Sequence, residues 1–94
     1  MRYKCIVAYD GTLFHGFQTQ GHLRTVQSEI EQVLLAINKE ATMIYPSGRT
    51  DAGVHAHGQV FHFDSAIDIP EQNMKNALNT RLPRDIYIKD VVIV

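Results

Sequence analysis

The stretch that decides the fold is RYKCIVAYD, residues 2–10, in which side chains alternate between two faces as they do in a β-strand. The more apolar face carries Tyr3, Cys5, Val7 and Tyr9. The other face carries Lys4, Ile6 and Ala8. We therefore expect a strand that is buried on much of both faces and that ends at the turn-forming pair Asp10 and Gly11.

Two segments carry apolar residues at helical spacing. The first begins at Thr25, which is a suitable N-cap, and runs to residues 38–40. Its apolar stripe consists of Val26, Ile30, Val33, Leu34 and Ile37. The second helix is predicted to have Pro70 at its first position and to end before Pro83.

Three more segments have strand character, at residues 42–45, 59–64 and 86–94. Combined with the first strand and the two helices, they give the order βαββαβ. This order predicts an α+β, ferredoxin-like fold, in which two helices cover one face of a four-stranded antiparallel sheet.

Length and composition indicate one globular domain over residues 1–94, because 45% of the 94 residues are hydrophobic and 20% are charged. No apolar run approaches the length of about 20 residues that crosses a bilayer, and the stretch MRYKCIVAYD lacks the long apolar segment and small-residue cleavage site that are typical of a signal peptide. A single cysteine, Cys5, excludes an internal disulfide. We therefore expect a cytoplasmic protein without a membrane association.

The net charge of −1 and the pI of about 6.5 provide no overall field that would attract a polyanion. Local clustering stays open as a hypothesis, because four arginines could converge in space although the total charge nearly cancels. They are Arg24, Arg49, Arg81 and Arg84.

The glycine-rich stretch GRTDAGVHAHG, residues 48–58, is longer than an ordinary hairpin loop of about 2 to 5 residues and is therefore a candidate functional loop. Asp51 lies at its centre and can serve as a nucleophile or base, with Arg49 keeping the carboxylate ionised. The alternative is that Asp51 caps a turn or pairs only with Arg49.

Three other chemistries fit the residues. His55 and His57 could bind zinc together with a third ligand, although no cysteine or HExxH pattern supports a metal site. Asp10 and Asp51 could form the acid and nucleophile of a glycosidase. Phe61 and Phe63 alternate along one strand, as in ferredoxin-like modules that bind RNA through aromatic residues of the sheet without catalysis.

Three successive stretches are YDGTLFHGFQTQ at 9–20, RTVQSEIEQVL at 24–34 and SGRTDAGVHAHGQVFHF at 47–63. In this order they resemble the signatures of the tRNA pseudouridine synthase A family, and GRTDAGVHA is the most diagnostic of them. The resemblance covers essentially the whole chain and corresponds to the N-terminal domain of that family. It implies that the natural chain continues past Val94 into a second domain, and that residues 1–94 alone have little activity.

The resemblance implies an isomerase that converts uridine to pseudouridine in the anticodon stem-loop of tRNA. By the family pattern Asp51 is the catalytic residue, and Arg49 holds it and helps to displace the target base. Gln18, in the aromatic loop, is a further candidate for displacing the base. The family works without a metal or organic cofactor, as homodimers whose two-domain subunits bind tRNA in a basic cleft.

Overall fold

The elements follow the order βαββαβ that the sequence predicts. The structure is a computed structural model that describes residues 1–18, 21, 23–47 and 56–94. Its elements are β1 (Arg2–Tyr9), α1 (Val26–Asn38), β2 (Tyr45–Pro46), β3 (Ala56–Asp64), α2 (Glu71–Arg81) and β4 (Ile86–Ile93). A single 3-10 turn, Gly11–Leu13, follows β1.

The four strands form one antiparallel sheet with the order β2-β3-β1-β4. The two long central pairings align Tyr3 with Phe63 and Cys5 with Phe61 between β1 and β3. On the other side of β1, Cys5 aligns with Val91 of β4. This arrangement confirms the predicted ferredoxin-like fold.

One face of the sheet, here called the covered face, forms the core with both helices. Its residues on β1 are the predicted Tyr3, Cys5, Val7 and Tyr9, all buried. The opposite face, here called the open face, carries Lys4, which is exposed, and Ile6 and Ala8, which are half-buried. The expectation that β1 is buried on much of both faces is wrong, because both helices pack against the covered face.

The helix α1 begins where its sequence predicts. Thr25 and Ser28 form a capping box, in which each side chain accepts a hydrogen bond from the backbone N–H of the other at 3.1 Å. The predicted apolar stripe faces the core, with Ile37 only partly buried. In α2, Met74 and Leu78 are buried, and Pro70 is the residue before the first helical position rather than the first position itself.

The two middle strands differ from their predicted limits. Residues 42–44 do not join the sheet, and side chains of α1 bind the backbone of Ile44 instead. Glu31 Oε2 accepts from the Ile44 N–H at 2.9 Å, and Gln27 Nε2 donates to the Ile44 carbonyl at 3.3 Å. The strand β3 begins at Ala56 instead of residue 59, so the connection between β2 and β3 is shorter than predicted and spans residues 47–55.

The edge strand β4 is covered in part by α2. The side-chain amide of Asn79 donates to the Ile88 carbonyl at 2.9 Å and accepts from the Ile88 N–H at 2.8 Å. Glu71 Oε2 accepts from the Ile93 N–H at 2.7 Å. These side chains bind backbone groups that a further strand would otherwise use.

Candidate functional site

The predicted catalytic pair lies in the connection between β2 and β3. Asp51, Arg49 and His55 fall outside the residues that the structure describes. The candidate roles of Asp51 and Arg49 therefore stay predictions. Gln18 is described and is exposed, one residue after Phe17, which is fully buried in the core.

A cleft of about 420 Å³ opens where β1 ends and β3 and β4 begin. Its lining residues are Ala8, Tyr9, Asp10, Ala56, His57, Arg84, Asp85 and Tyr87. Ala56 is the residue at which the chain returns to the sheet after the predicted catalytic connection. Gln18 does not line this cleft.

Asp10 caps the turn that follows β1. Its Oδ1 accepts hydrogen bonds from the Thr12 N–H at 3.0 Å and from Thr12 Oγ1 at 2.6 Å. This contact matches the turn-forming role that an Asp-Gly pair predicts. The pairing of Asp10 with Asp51 as two glycosidase carboxylates stays a hypothesis, because Asp51 is outside the described residues.

Arg24 links three parts of the chain at the same end of the sheet. Its guanidinium donates to both carboxylate oxygens of Asp85, at 3.1 and 3.3 Å, and lies 4.1 Å from the centroid of the Phe14 ring. Glu29 adds a longer ion pair at 3.7 Å. The hydrogen bonds that Arg24 donates to Asp85 raise the pKa of Arg24 above its ordinary value. The backbone carbonyl of Asp85 also accepts from the Asp10 N–H at 2.9 Å.

Arg24 and Arg84 therefore come to one end of the molecule, because Arg84 precedes Asp85 and lines the cleft. Arg81 is exposed at the last residue of α2. The Arg24 side chain pairs with Asp85 and Glu29, whereas Arg84 lines the cleft, so the convergence of the arginines stays a hypothesis. The position of Arg49 is outside the described residues.

The zinc hypothesis for His55 and His57 stays a hypothesis, because His55 is outside the described residues. His57 lies in β3 rather than in a loop, and its backbone carbonyl accepts from Lys89 Nζ at 2.9 Å. His62 stacks on Tyr45 with 5.2 Å between the ring centroids. Across residues 1–18, 21, 23–47 and 56–94, no group of three His, Cys, Asp or Glu side chains is placed to hold a metal ion.

Phe61 and Phe63 point into the core. Both are fully buried, and the Phe63 ring stacks on Tyr3 with 5.2 Å between centroids. Modules that bind RNA through sheet aromatics need those rings on an accessible face. The prediction that these two phenylalanines display a base-stacking surface is therefore wrong, since they lie on the covered face.

Comparison with known proteins decides the family. The sequence model of a family described as tRNA pseudouridine synthase matches residues 5–94. The chain belongs to the tRNA pseudouridine synthase family. This confirms the resemblance that the three sequence stretches carry.

Three relatives named tRNA pseudouridine synthase A illustrate the similarity within this family. The chain is 53% identical over 91 residues to the protein of Pseudothermotoga lettingae, covering 97% of this chain and 37% of the relative. It is 55% identical to the protein of Oceanobacillus iheyensis, with 96% and 36% covered. It is 54% identical to the protein of Geobacillus sp. strain WCH70, with 96% and 37% covered. The chain thus spans little more than a third of the length of these synthases.

Some residues at the cleft end of the sheet of this pseudouridine synthase chain were not predicted as candidate site residues. The partnership of Arg24 with Asp85 joins positions 61 apart in the sequence, and no local pattern indicates such a contact. Tyr87 and Lys89 had a usable signal, because positions two apart on a strand share a face.

In the part of the chain that the structure describes, no helix is long and apolar enough to span a membrane.

Proposed function

We propose that this chain is the N-terminal domain of an enzyme that isomerises uridine to pseudouridine in tRNA. The observation that carries this proposal is the match of residues 5–94 to the tRNA pseudouridine synthase family. The names of the relatives, each called tRNA pseudouridine synthase A, support tRNA as the substrate. The GRTDAG sequence between β2 and β3 supports the assignment of the catalytic loop.

Asp51 is the catalytic nucleophile in this proposal. The reaction breaks the bond between C1′ and N1 of the uridine and joins C1′ to C5, while the proton of C5 is lost and N1 gains one. The Asp51 carboxylate adds either to C1′ or to the base ring and later leaves, so that no oxidation or hydrolysis occurs. A carboxylate is anionic at neutral pH because its ordinary pKa is about 3.9.

Arg49 holds Asp51 and helps to displace the target base, because a base inside a stem must leave the stack before it can react. Gln18 is exposed and contributes to the same displacement. The target uridines lie in the anticodon stem-loop. We also propose that the complete enzyme is a cytoplasmic homodimer of two-domain subunits and uses neither a metal nor an organic cofactor.

The test uses the full-length protein and measures pseudouridine formed in a tRNA transcript. We expect Asp51→Asn to reduce the rate below about a thousandth of the wild-type rate while the affinity for tRNA stays within a few-fold. The matched variant is Asp10→Asn, since asparagine caps a turn as well as aspartate does. We expect it to retain activity.

Near-normal turnover by Asp51→Asn would contradict the assignment of the nucleophile. An equal loss in Asp10→Asn, with the fold and tRNA affinity preserved, would instead favour a mechanism with two carboxylates. A wild-type protein that binds tRNA but forms no pseudouridine would refute the proposed activity itself.

A further inference from the structure

The cleft at the end of the open face owes its shape to a small residue between two larger ones. Ala8 of β1 aligns with Tyr87 of β4, and β3 carries His57 on the other side of β1. The Tyr87 side chain is therefore not covered by a cross-strand neighbour, and 52% of the residue is exposed. An accessible aromatic ring forms one wall of a depression whose volume is about 420 Å³.

The acidic groups of this cleft have partners, whereas Arg84 has no ion-pair partner among the described residues. Asp85 accepts hydrogen bonds from Nη1 and Nη2 of Arg24, and Asp10 binds Thr12. Arg84 is exposed and makes no ion pair with any residue that the structure describes.

Lys89 adds a second basic group beside the cleft. Its ammonium group reaches from β4 across β1 to the His57 carbonyl. That single hydrogen bond leaves two of its three N–H donors for another acceptor. Two cations next to an accessible aromatic ring favour a ligand that is both planar and anionic.

These features match the chemistry of a nucleotide in single-stranded RNA. Bases stack on aromatic side chains, and guanidinium and ammonium groups bind phosphate oxygens. The cleft volume falls within the range of about 300 to 1,000 Å³ that is usual for pockets holding small ligands.

We propose that this cleft binds a nucleotide that flanks the target uridine, with its base stacked on Tyr87 and its phosphate bound by Arg84. The proposal rests on the proposed function, since it assumes an RNA substrate. Ala56 lines the cleft and follows Asp51 by five positions in the sequence, so chain length alone keeps their Cα atoms within about 18 Å. A few nucleotides of RNA can span that distance, so one strand can reach both places.

The test measures the equilibrium affinity of the full-length protein for an unmodified tRNA transcript at several salt concentrations. We expect Tyr87→Ala to raise Kd by about 5- to 100-fold, because one base loses its stacking partner. Tyr87→Phe keeps the ring and should bind within about twofold of wild type. Arg84→Gln should reduce the slope of log Kd against log salt by about one, as expected when one phosphate contact is lost.

Two control variants match these residues in type and exposure. Tyr45→Ala removes a tyrosine that is 47% exposed on β2, three strands away from β4, and Arg81→Gln removes an exposed arginine at the end of α2. Both should bind tRNA like the wild type. The urea midpoint of each variant, compared with wild type, separates a change of binding from a change of fold.

Wild-type affinity in both Tyr87→Ala and Arg84→Gln would overturn the proposal, as would equal losses in these variants and the two controls. Pseudouridine formation is measured with the same proteins. If wild type turns over and both Tyr87→Ala and Arg84→Gln bind normally, only the nucleotide cleft is refuted, whereas a wild type that forms no pseudouridine refutes the proposed function.

Discussion

Two stacked aromatic pairs, one between β1 and β3 and the other between β2 and β3, have the same ring spacing and different environments. Tyr3 and Phe63 lie on the covered face with 5.2 Å between their ring centroids, and both are fully buried. Tyr45 and His62 lie on the open face, also 5.2 Å apart, and Tyr45 is 47% exposed. The face of the sheet on which a ring lies therefore determines whether the ring packs in the core or is exposed to solvent.

In this fold the type of a residue does not by itself reveal its role. The phenylalanines of β3 resemble an RNA-binding surface in the sequence, yet they form the core. The residues that suit RNA, Tyr87 and Arg84, come from β4 and the turn before it. We therefore expect substitutions on the covered face to change stability and substitutions at the cleft to change RNA binding.

The largest expected effect is on the free energy of unfolding, for substitutions of two neighbouring residues of β3 that lie on opposite faces. Phe61→Ala should lower the free energy of unfolding by about 3–5 kcal/mol, because a fully buried ring leaves a cavity. Val60→Ala, which changes the half-buried open face, should cost about 1 kcal/mol or less. Urea denaturation measures both, and equal losses would break the distinction between the two faces.

A second comparison uses two tyrosines. The Tyr3 hydroxyl donates to the Ile69 carbonyl at 2.6 Å and accepts from the Ile69 N–H at 2.8 Å. Tyr3→Phe should therefore cost about 1–3 kcal/mol, since two partly buried backbone groups lose their partner. Tyr87→Phe on the open face should change stability by less than about 0.5 kcal/mol. A thermal or urea unfolding curve that shows no loss for Tyr3→Phe would contradict this account of the covered face.

The thiol of Cys5 gives the covered face a dependence on pH. Burial, followed by the charge of Asp90, raises the pKa of Cys5 from 9.0 to about 12. Between these values the unfolded chain loses the thiol proton and the folded protein keeps it, so stability falls as pH rises. Below the pKa of 9.0 that the thiol has in the unfolded chain, the thiol is protonated in both states and its stabilising contribution is fully present.

Above pH 9 the free energy of unfolding should fall by about 1.4 kcal/mol for each pH unit. Urea denaturation of wild type and of Cys5→Ala at several pH values measures this fall. The variant lacks only the thiol, so the difference between the two pH curves isolates the contribution of Cys5. Parallel pH curves for the two proteins would show that Cys5 does not carry this effect.

The smallest expected effect is on the open face. The hydrogen bond from Arg2 at 2.9 Å lowers the pKa of Asp64 below its ordinary value. The pair therefore contributes stability above the ordinary pKa, and that contribution is lost as pH falls through the lowered one. We expect the small difference between wild type and Asp64→Asn at pH 7 to vanish in about 1 M salt and at low pH. A difference that persisted in salt would indicate a contribution from packing instead.

Much of the fold could be predicted because its signals are local. The alternation of Tyr3, Cys5 and Val7 indicates a strand, and Thr25 before an apolar stripe indicates a helix start. The limits of the middle strands could not be predicted, because side chains of α1 bind the backbone of residue 44 and hold it away from β3. Which face of β1 the helices leave open also depends on packing between distant elements.

The candidate site could be predicted only in part for the same reason. The glycine-rich stretch around Asp51 carries its own signal in the sequence. The cleft is assembled from the ends of β1, β3 and β4, so its residues are distant along the chain. A contact such as that between Arg24 and Asp85 depends on the complete fold.

The most direct test of this division between the two faces maps where the RNA lies. The full-length Asp51→Asn protein is bound to a tRNA transcript that carries 4-thiouridine in the anticodon loop, irradiated, and analysed by mass spectrometry for cross-linked residues. The account predicts cross-links at the open-face end, at His57 and within 84–89. Cross-links confined to the outer surfaces of α1 and α2, for example at Gln32 and Lys75, would contradict it.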